Sequence, residues 1–209
     1  MPELACAGVL FDCDGVLVDS DASVYRAWTR WARDLGLDPD TVASIVHGRR
    51  SADTVAELFV EDERPAASAL IDRYEVEDAA AVTAIRGAEE LLASIPAPRW
   101  AVVTSGNLKL ATARIRAAGL PVPAVLVTAD DVARGKPDPE GYLTAAARLG
   151  FGPSGTIVLE DAASGVAAAR AAGVAAVVGV GTRDELPYVD LHVGDLTELC
   201  WTGHGLATG

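Results

Sequence analysis

The sequence predicts an α/β fold in which helices cover both faces of a parallel sheet. A fully apolar run that ends at Phe11 is typical of a strand buried on both faces. From Arg99 onward, short apolar runs alternate with segments of helical periodicity, which indicates strand–helix–strand units. Between these two regions the chain is mostly helical and contains no convincing strand. We therefore expect one parallel sheet with a helical insertion after its first strand.

The helical insertion begins directly after the first strand. In its first segment the apolar residues recur at helical spacing: Val24, Ala27, Trp28, Trp31 and Leu35. Gly36 ends this helix, Ser51 is placed to cap a second, and a third is predicted over 66–84, before Gly87. The two tryptophans fit the apolar face of the insertion better than a sugar-binding surface.

The strands and helices of the second half alternate regularly. The predicted strands are 100–104, 124–127, 156–159 and 175–178, and the predicted helices are 108–118, 139–149 and 164–172. The tail from Trp201 is predicted to be frayed. We therefore divide the chain into a core, residues 1–16 and 87–209, and a smaller helical domain, residues 17–86.

Composition excludes several classes of partner. The net charge of −13 argues against nucleic acid and against anionic membranes. No apolar run is long enough to cross a bilayer, and the first residues lack the basic region of a signal peptide. Three cysteines without metal-ligand spacing suit a reducing compartment. We expect a cytoplasmic monomer that binds a small molecule.

An acidic motif follows the first strand. Asp12 and Asp14 interrupt the apolar run, and Gly15 allows the chain to turn. Cys13, between them, is expected to face the core as a small apolar side chain. Active sites of open α/β sheets lie at the carboxyl ends of the strands. The alternative is a strand followed by an ordinary acidic turn.

Three further polar motifs follow later strands: Thr104-Ser105-Gly106-Asn107, Gly135-Lys136-Pro137 and Glu160-Asp161. The first begins a helix whose backbone amides could bind an anion. Each motif also has an ordinary explanation. Ser105 or Asn107 could simply cap a helix, Lys136 could be solvated, and Asp161 could cap the helix that follows it.

All four motifs are predicted to meet at one edge of the sheet. The carboxylates of Asp12, Asp14, Glu160 and Asp161 would then repel one another by about 4 kcal/mol for a pair 4 Å apart near a protein surface. A divalent cation relieves this repulsion, and oxygen ligands suit Mg²⁺. Together with Lys136 it could hold a phosphate, which a carboxylate could then attack.

In this order, the motifs resemble those of haloacid dehalogenase superfamily phosphatases. The resemblance covers nearly the whole chain and rests on four segments: Asp12-x-Asp14-Gly15-Val16-x-x-Asp19-Ser20, Thr104-Ser105-Gly106, Lys136-Pro137 and Glu160-Asp161-x-x-x-Gly165. It implies a Rossmann-like core with a C1-type helical cap, as in the β-phosphoglucomutase-like branch. The segments 47–51, 100–106 and 128–137 are similar to phosphatases of small sugar and polyol phosphates, such as those of deoxyglucose 6-phosphate and glycerol 3-phosphate.

The resemblance implies a role for each carboxylate. Asp12 would be the nucleophile and a Mg²⁺ ligand. Asp14 would act as general acid and then as general base, and its backbone carbonyl would also bind Mg²⁺. Asp161 is implied as a direct metal ligand, with Glu160 as a second.

The resemblance also implies the phosphate site. Thr104 and the backbone amides of Ser105 and Gly106 would hold the phosphate, and Lys136 would stabilise charge on its oxygens.

In this family the cap chooses the substrate. The candidates here are His47, Arg49 and Arg50, of which Arg50 is preferred to Arg49. As the alternative, one arginine is solvated or pairs with a cap acid such as Asp53. His47 could equally be a structural hydrogen-bonding residue.

Three functions remain in competition. The first is a Mg²⁺-dependent phosphatase of small sugar or polyol phosphates. The second is a β-phosphoglucomutase-like phosphosugar mutase, which must grip a second phosphate. Mutase-like caps use a lysine there, and residues 17–86 contain none, although an arginine could substitute. The third is a catalytically idle phosphosugar-binding protein, against which the presence of both Asp12 and Asp14 argues.

Overall fold

The computed structural model describes residues 3–46, 48–181 and 186–209. The strands, in chain order, are β1 Glu3–Ala5, β2 Gly8–Phe11, β3 Val18–Asp19, β4 Thr83–Ala84, β5 Trp100–Val103, β6 Leu126–Val127, β7 Thr156–Glu160, β8 Ala176–Val180, β9 Leu191–Val193, β10 Leu199–Trp201 and β11 Gly205–Thr208. The α-helices are α1 Asp21–Asp34, α2 Pro39–Val46, α3 Ser51–Leu58, α4 Arg64–Asp78, α5 Ala88–Ser94, α6 Leu108–Ala117, α7 Glu140–Leu149 and α8 Ala163–Ala172. None of these helices combines the length and apolar character that a membrane span requires.

The predicted parallel sheet is confirmed. It has six strands in the order β6-β5-β2-β7-β8-β9, and each neighbouring pair is parallel. Leu10 of β2 pairs with Ala101 on one side and Val158 on the other. The chain thus leaves the central strand toward both edges of the sheet. A crevice forms where two such connections diverge, at the carboxyl ends of the strands.

Alternation along the strands builds an apolar layer on each face of the sheet. Val9 and Phe11 enter one cluster, which includes residues of α5 and α6. Leu10 enters the other, with Tyr142 of α7 and residues of α8. Cys13 is fully buried in the first cluster, as expected of a small apolar side chain. This packing fixes β2, and therefore the position at which the acidic motif begins.

The helices α1 to α4 pack around an apolar cluster of their own. The fully buried Trp31 belongs to this cluster, and its indole N–H donates to the carbonyl of Ala67 at 2.8 Å. The two-stranded ribbon of β3 and β4 joins these helices to the core. We call α1 to α4 the cap. The domain division at 17–86 falls beside this ribbon and stays a prediction.

Three predictions about elements are wrong. Ser51 does not cap a helix: it is the first residue of α3, Arg50 stands at the cap position, and the Ser51 hydroxyl donates to Glu75. The tail is not frayed, because β1, β10 and β11 form a small antiparallel sheet in which Leu206 is buried. The helix predicted over 66–84 ends at Asp78. Its last predicted residues instead form β4, whose pairing with β3 closes the base of the cap.

Candidate active site

The polar motifs meet in a cleft between the cap and the carboxyl edge of the sheet. Together with the space open to solvent at its mouth, the cleft amounts to about 570 Å³. Among the predicted site residues, the following line it: Asp12, Asp14, Arg49, Ser105, Gly106 and Asp161. These residues meet, as the strand order in the sequence predicts, because parallel strands bring their carboxyl ends to one edge of the sheet.

Asp12 is fixed at the floor of this cleft. Its backbone N–H extends the ladder to the carbonyl of Leu159 at 3.0 Å, and its carboxylate lies 2.7 Å from the Lys136 ammonium. Burial raises the pKa of Asp12 well above its ordinary value. Lys136 opposes that rise, whereas Glu160 and Asp161 add to it. One lysine does not offset the burial and the two neighbouring acids.

Glu160 holds Lys136 in place. Its Oε1 accepts from the Lys136 ammonium and from the Tyr142 hydroxyl, each at 2.6 Å. Its Oε2 accepts from the backbone N–H groups of Asp161 and Ala162 at 3.0 and 3.1 Å. Burial alone would lower the pKa of Lys136, but the carboxylates of Asp12 and Glu160 raise it above its ordinary value. Lys136 is therefore a fixed cation aimed at Asp12, and not a solvated side chain.

A metal ion fits the acidic cluster. Oxygen atoms of Asp12, Glu160 and Asp161 lie within 4.8 Å of one another, and all three residues are buried. A side chain at Gly15 would place its Cβ 2.0 Å from Oδ2 of Asp161, so a glycine is required for this carboxylate to sit here. An all-oxygen site of this kind suits Mg²⁺. Because the four hydrogen bonds of Glu160 hold both its oxygens, Asp12 and Asp161 are the better-placed carboxylate ligands.

The predicted phosphate loop follows β5. Thr104 is buried and its backbone N–H donates to the Val127 carbonyl at 2.9 Å. Its hydroxyl accepts from the Gly106 N–H at 3.0 Å. Asn107 caps α6 by accepting from the Leu110 N–H, so the ordinary capping explanation holds for Asn107. Ser105 faces the cleft, and its hydroxyl donates to the Gly48 carbonyl of the cap at 3.3 Å.

Arg50, the preferred candidate for the substrate contact, is engaged by other groups of the protein, as in the alternative that pairs one arginine with Asp53. Its guanidinium pairs with both carboxylate oxygens of Asp53 at 2.8 Å. It also donates to the carbonyls of Val132 and Ala133 at 3.3 and 3.2 Å. With its donors engaged in this way, Arg50 ties the cap to the loop after β6. It lines a neighbouring pocket with Thr104, Ser105 and Lys136.

Arg49, unlike Arg50, lines the cleft that contains Asp12 and Asp14. Its guanidinium lies 2.8 Å from the carboxylate of Glu57 on α3. His47 lies outside the described residues. Of the three predicted cap residues, Arg49 is thus the one that the described structure brings to the cleft.

Sequence reasoning missed a buried ion-pair cluster. The guanidinium of Arg114 on α6 lies 2.9 Å from the carboxylate of Asp14 and 3.4 Å from that of Glu75 on α4. Ser20 donates to the same oxygen of Asp14 at 2.7 Å, and Ser51 donates to Glu75 at 3.0 Å. Burial raises the pKa of Glu75, and Arg114 opposes that rise.

The pattern of α6 carried a signal for Arg114. Leu110, Ala111 and Ile115 form the buried face of the helix, and Arg114 lies on that face. A charged residue at an apolar position needs a buried partner. Nothing in the sequence indicated that its partners would be Asp14 and a glutamate from the cap.

The chain is similar in sequence to a known family and to characterised proteins. Residues 6–173 match the haloacid dehalogenase-like hydrolase family. Hexitol phosphatase A of Escherichia coli (strain K12) is 40% identical over 95% of both chains. Validoxylamine A 7'-phosphate phosphatase of Streptomyces hygroscopicus subsp. limoneus is 38% identical over 92% of this chain and 95% of that protein.

Solved structures of hydrolases and related enzymes have the same fold as this chain. A hydrolase from Pseudomonas syringae superposes with a TM-score of 0.82 at 25% identity, over 92% of this chain and 94% of the other. A β-phosphoglucomutase from Clostridium difficile superposes with a TM-score of 0.79 at 25% identity, over 91% of this chain and 92% of the other. The fold and the enzyme class expected from the sequence are thereby confirmed. The chain belongs to the haloacid dehalogenase-like hydrolases.

Proposed function

We propose that this enzyme is a Mg²⁺-dependent phosphatase of small sugar or polyol phosphates that works through an aspartyl-phosphate. The observation that carries the proposal is the buried pair of Asp12 and Lys136, 2.7 Å apart at the floor of a polar cleft. A carboxylate beside a fixed cation can attack a phosphoryl group that the cation holds. Both similar relatives are named as phosphatases.

In the first step a carboxylate oxygen of Asp12 attacks phosphorus in line with the leaving group, and the bond from phosphorus to the polyol oxygen breaks. Lys136 stabilises the phosphoryl oxygens, together with the loop at Thr104. Asp14 lines the same cleft and delivers a proton to the departing polyol oxygen. The products of this step are the free polyol and phosphorylated Asp12.

In the second step Asp14 removes a proton from water, and the resulting hydroxide attacks phosphorus. The bond between phosphorus and Asp12 breaks, so phosphate leaves and the Asp12 carboxylate is restored. Mg²⁺, when bound, supplies positive charge to the nucleophile and the phosphoryl group. Asp12, Asp161 and the Asp14 carbonyl would hold it, with Glu160 fixing Lys136 beside them.

The mutase alternative is less well supported by the cleft. A mutase must bind a second phosphate at the cap side. The cap residues that line the cleft include the acids Asp21 and Glu75. The guanidinium of Arg49, the cap arginine that lines the cleft, lies 2.8 Å from the carboxylate of Glu57. This charge pattern favours a substrate with one phosphate.

A phosphate-release screen tests the proposal. We expect the wild-type protein with Mg²⁺ to release phosphate from several polyol and sugar monophosphates, and Asp12→Asn to release none. A matched assay with a hexose 1-phosphate measures formation of the 6-phosphate. Isomerisation faster than phosphate release would replace the phosphatase by the mutase, and no turnover of any monoester would favour the idle binding protein.

We further propose that the protein works in the cytoplasm. Cys6, Cys13 and Cys200 are free thiols, which accords with the reducing cytoplasm. We retain the expectation of a monomer with a small phosphorylated metabolite as its ligand.

A further inference from the structure

We propose that Glu75 of the cap, held by Arg114 of the core, selects substrates whose end away from the phosphate is neutral and hydroxylated. The inference rests on the proposed phosphatase function, because it names the part of the substrate that the cap reads. Neither Glu75 nor Arg114 belongs to the four motifs, and neither is predicted to take part in phosphate chemistry.

The two residues face the substrate cleft from opposite sides. Glu75 belongs to α4 of the cap and Arg114 to α6 of the core, and both line the cleft that contains Asp12 and Asp14. Their side chains are only 6% and 4% exposed. A substrate with phosphate at Asp12 would therefore extend toward a pre-formed, largely desolvated charged pair.

The pair has hydrogen-bonding capacity left over. The separation of 3.4 Å between Arg114 Nη2 and Glu75 Oε1 is long for a charge-assisted hydrogen bond, which is usually about 2.7–2.9 Å. Nε of Arg114 is buried and has no hydrogen-bond partner in the described part of the chain. An unpaired buried N–H is costly, so the guanidinium is not fully satisfied by Glu75 and Asp14.

A hydroxyl group matches this arrangement, because it donates to a carboxylate and accepts from a guanidinium. A carboxylate or a second phosphate could only accept, and it would face Glu75 and Asp21 on the same wall. Like charges at short range disfavour such a ligand. The pair therefore distinguishes a polyol end from an anionic end.

The test compares Glu75→Gln with Glu77→Gln. Glutamine keeps the shape of Glu75 and an oxygen that can accept from Ser51, but it loses the charge. Glu77 lies on the same helix, pairs with Arg30, and is half exposed outside the cleft, so its variant is the matched control. Each protein is assayed with a hexitol monophosphate and with the monophosphate of the corresponding hexonic acid.

We expect Glu75→Gln to lower kcat/KM for the hexitol phosphate at least tenfold, mainly through KM, and to shift the preference toward the hexonate phosphate by at least tenfold. Glu77→Gln should behave as wild type. An equal loss for both substrates, or an unchanged preference, would overturn the inference, because a purely structural glutamate affects both substrates alike.

Binding to inactive protein separates this inference from the proposed function. The hexitol and hexonate phosphates are titrated calorimetrically into Asp12→Asn with and without Glu75→Gln, after thermal melts show that both proteins are folded. A shift in preference supports the inference even if the wild type releases no phosphate, which is the failure of the proposed function. An unchanged preference in folded protein overturns the inference whatever the turnover.

Discussion

Asp12 combines burial, a fixed cation and two acidic neighbours. Its motif could be predicted from the sequence because carboxylates buried at the end of an apolar strand are costly unless a cation pairs with them. The side chains that hold Glu160 and Lys136 beside Asp12 could not be predicted. Tyr142 holds Glu160 from α7, a distant helix, and its position in that helix is indistinguishable from that of an ordinary core aromatic residue.

At the residue scale we predict that Asp12→Asn abolishes turnover without unfolding the protein. The amide is nearly isosteric but cannot form an acyl-phosphate, so kcat should fall by more than a thousandfold, about 4 kcal/mol in barrier. Phosphate release and a thermal melt measure the two effects. Activity within tenfold of wild type would remove Asp12 from the nucleophile role.

At the element scale, the strands of the core were predictable and the ends of the cap elements were not. A buried parallel strand is a continuous apolar run, which the sequence displays directly. The tail escaped prediction because its glycines and polar residues are typical of loops, whereas β11 is stabilised by pairing with β1 at the opposite end of the chain. Such long-range pairing leaves little local signal.

The contacts of Arg50 with Asp53, Val132 and Ala133 lead to a prediction at this scale. Arg50→Ala removes the hydrogen bonds that tie α3 to the loop after β6, and so weakens closure of the cap over the cleft. We expect kcat/KM to fall about 5- to 30-fold, or about 1–2 kcal/mol, for a polyol phosphate and for p-nitrophenyl phosphate alike.

Arg26→Ala provides the control for Arg50→Ala. Arg26 is an exposed cap arginine that pairs with Asp78, away from the loop after β6, so its loss should leave both rates within twofold. If Arg50→Ala slowed only the polyol phosphate, Arg50 would return to the substrate-binding role that the sequence indicated.

At the scale of the whole molecule, the cap and the core each supply one half of the cleft. The core half follows from strand order, and its motifs were predictable together. The cap half depends on how helices from a separate apolar cluster lie over the sheet. No local pattern specifies this, so the positions of Glu75 and Arg49 in the cleft emerged only from the structure.

The acidic cluster predicts a metal requirement for the molecule. EDTA should abolish phosphate release, Mg²⁺ should restore it, and Ca²⁺ should restore it poorly. Ca²⁺ takes more ligands at longer distances than Mg²⁺, which would draw both oxygens of Asp12 away from attack. Steady-state assays in chelated buffer measure this, and full activity without added metal would refute the cation argument.

The central claim is that Asp12 carries the phosphoryl group between the two steps. Acid quenching during turnover of a polyol phosphate with radiolabelled phosphate tests it most directly. We predict label bound to the wild-type protein, released by neutral hydroxylamine as expected of an acyl-phosphate, and absent from Asp12→Asn. Rapid phosphate release with no labelled protein at any quench time, or label that persists in Asp12→Asn, would contradict it.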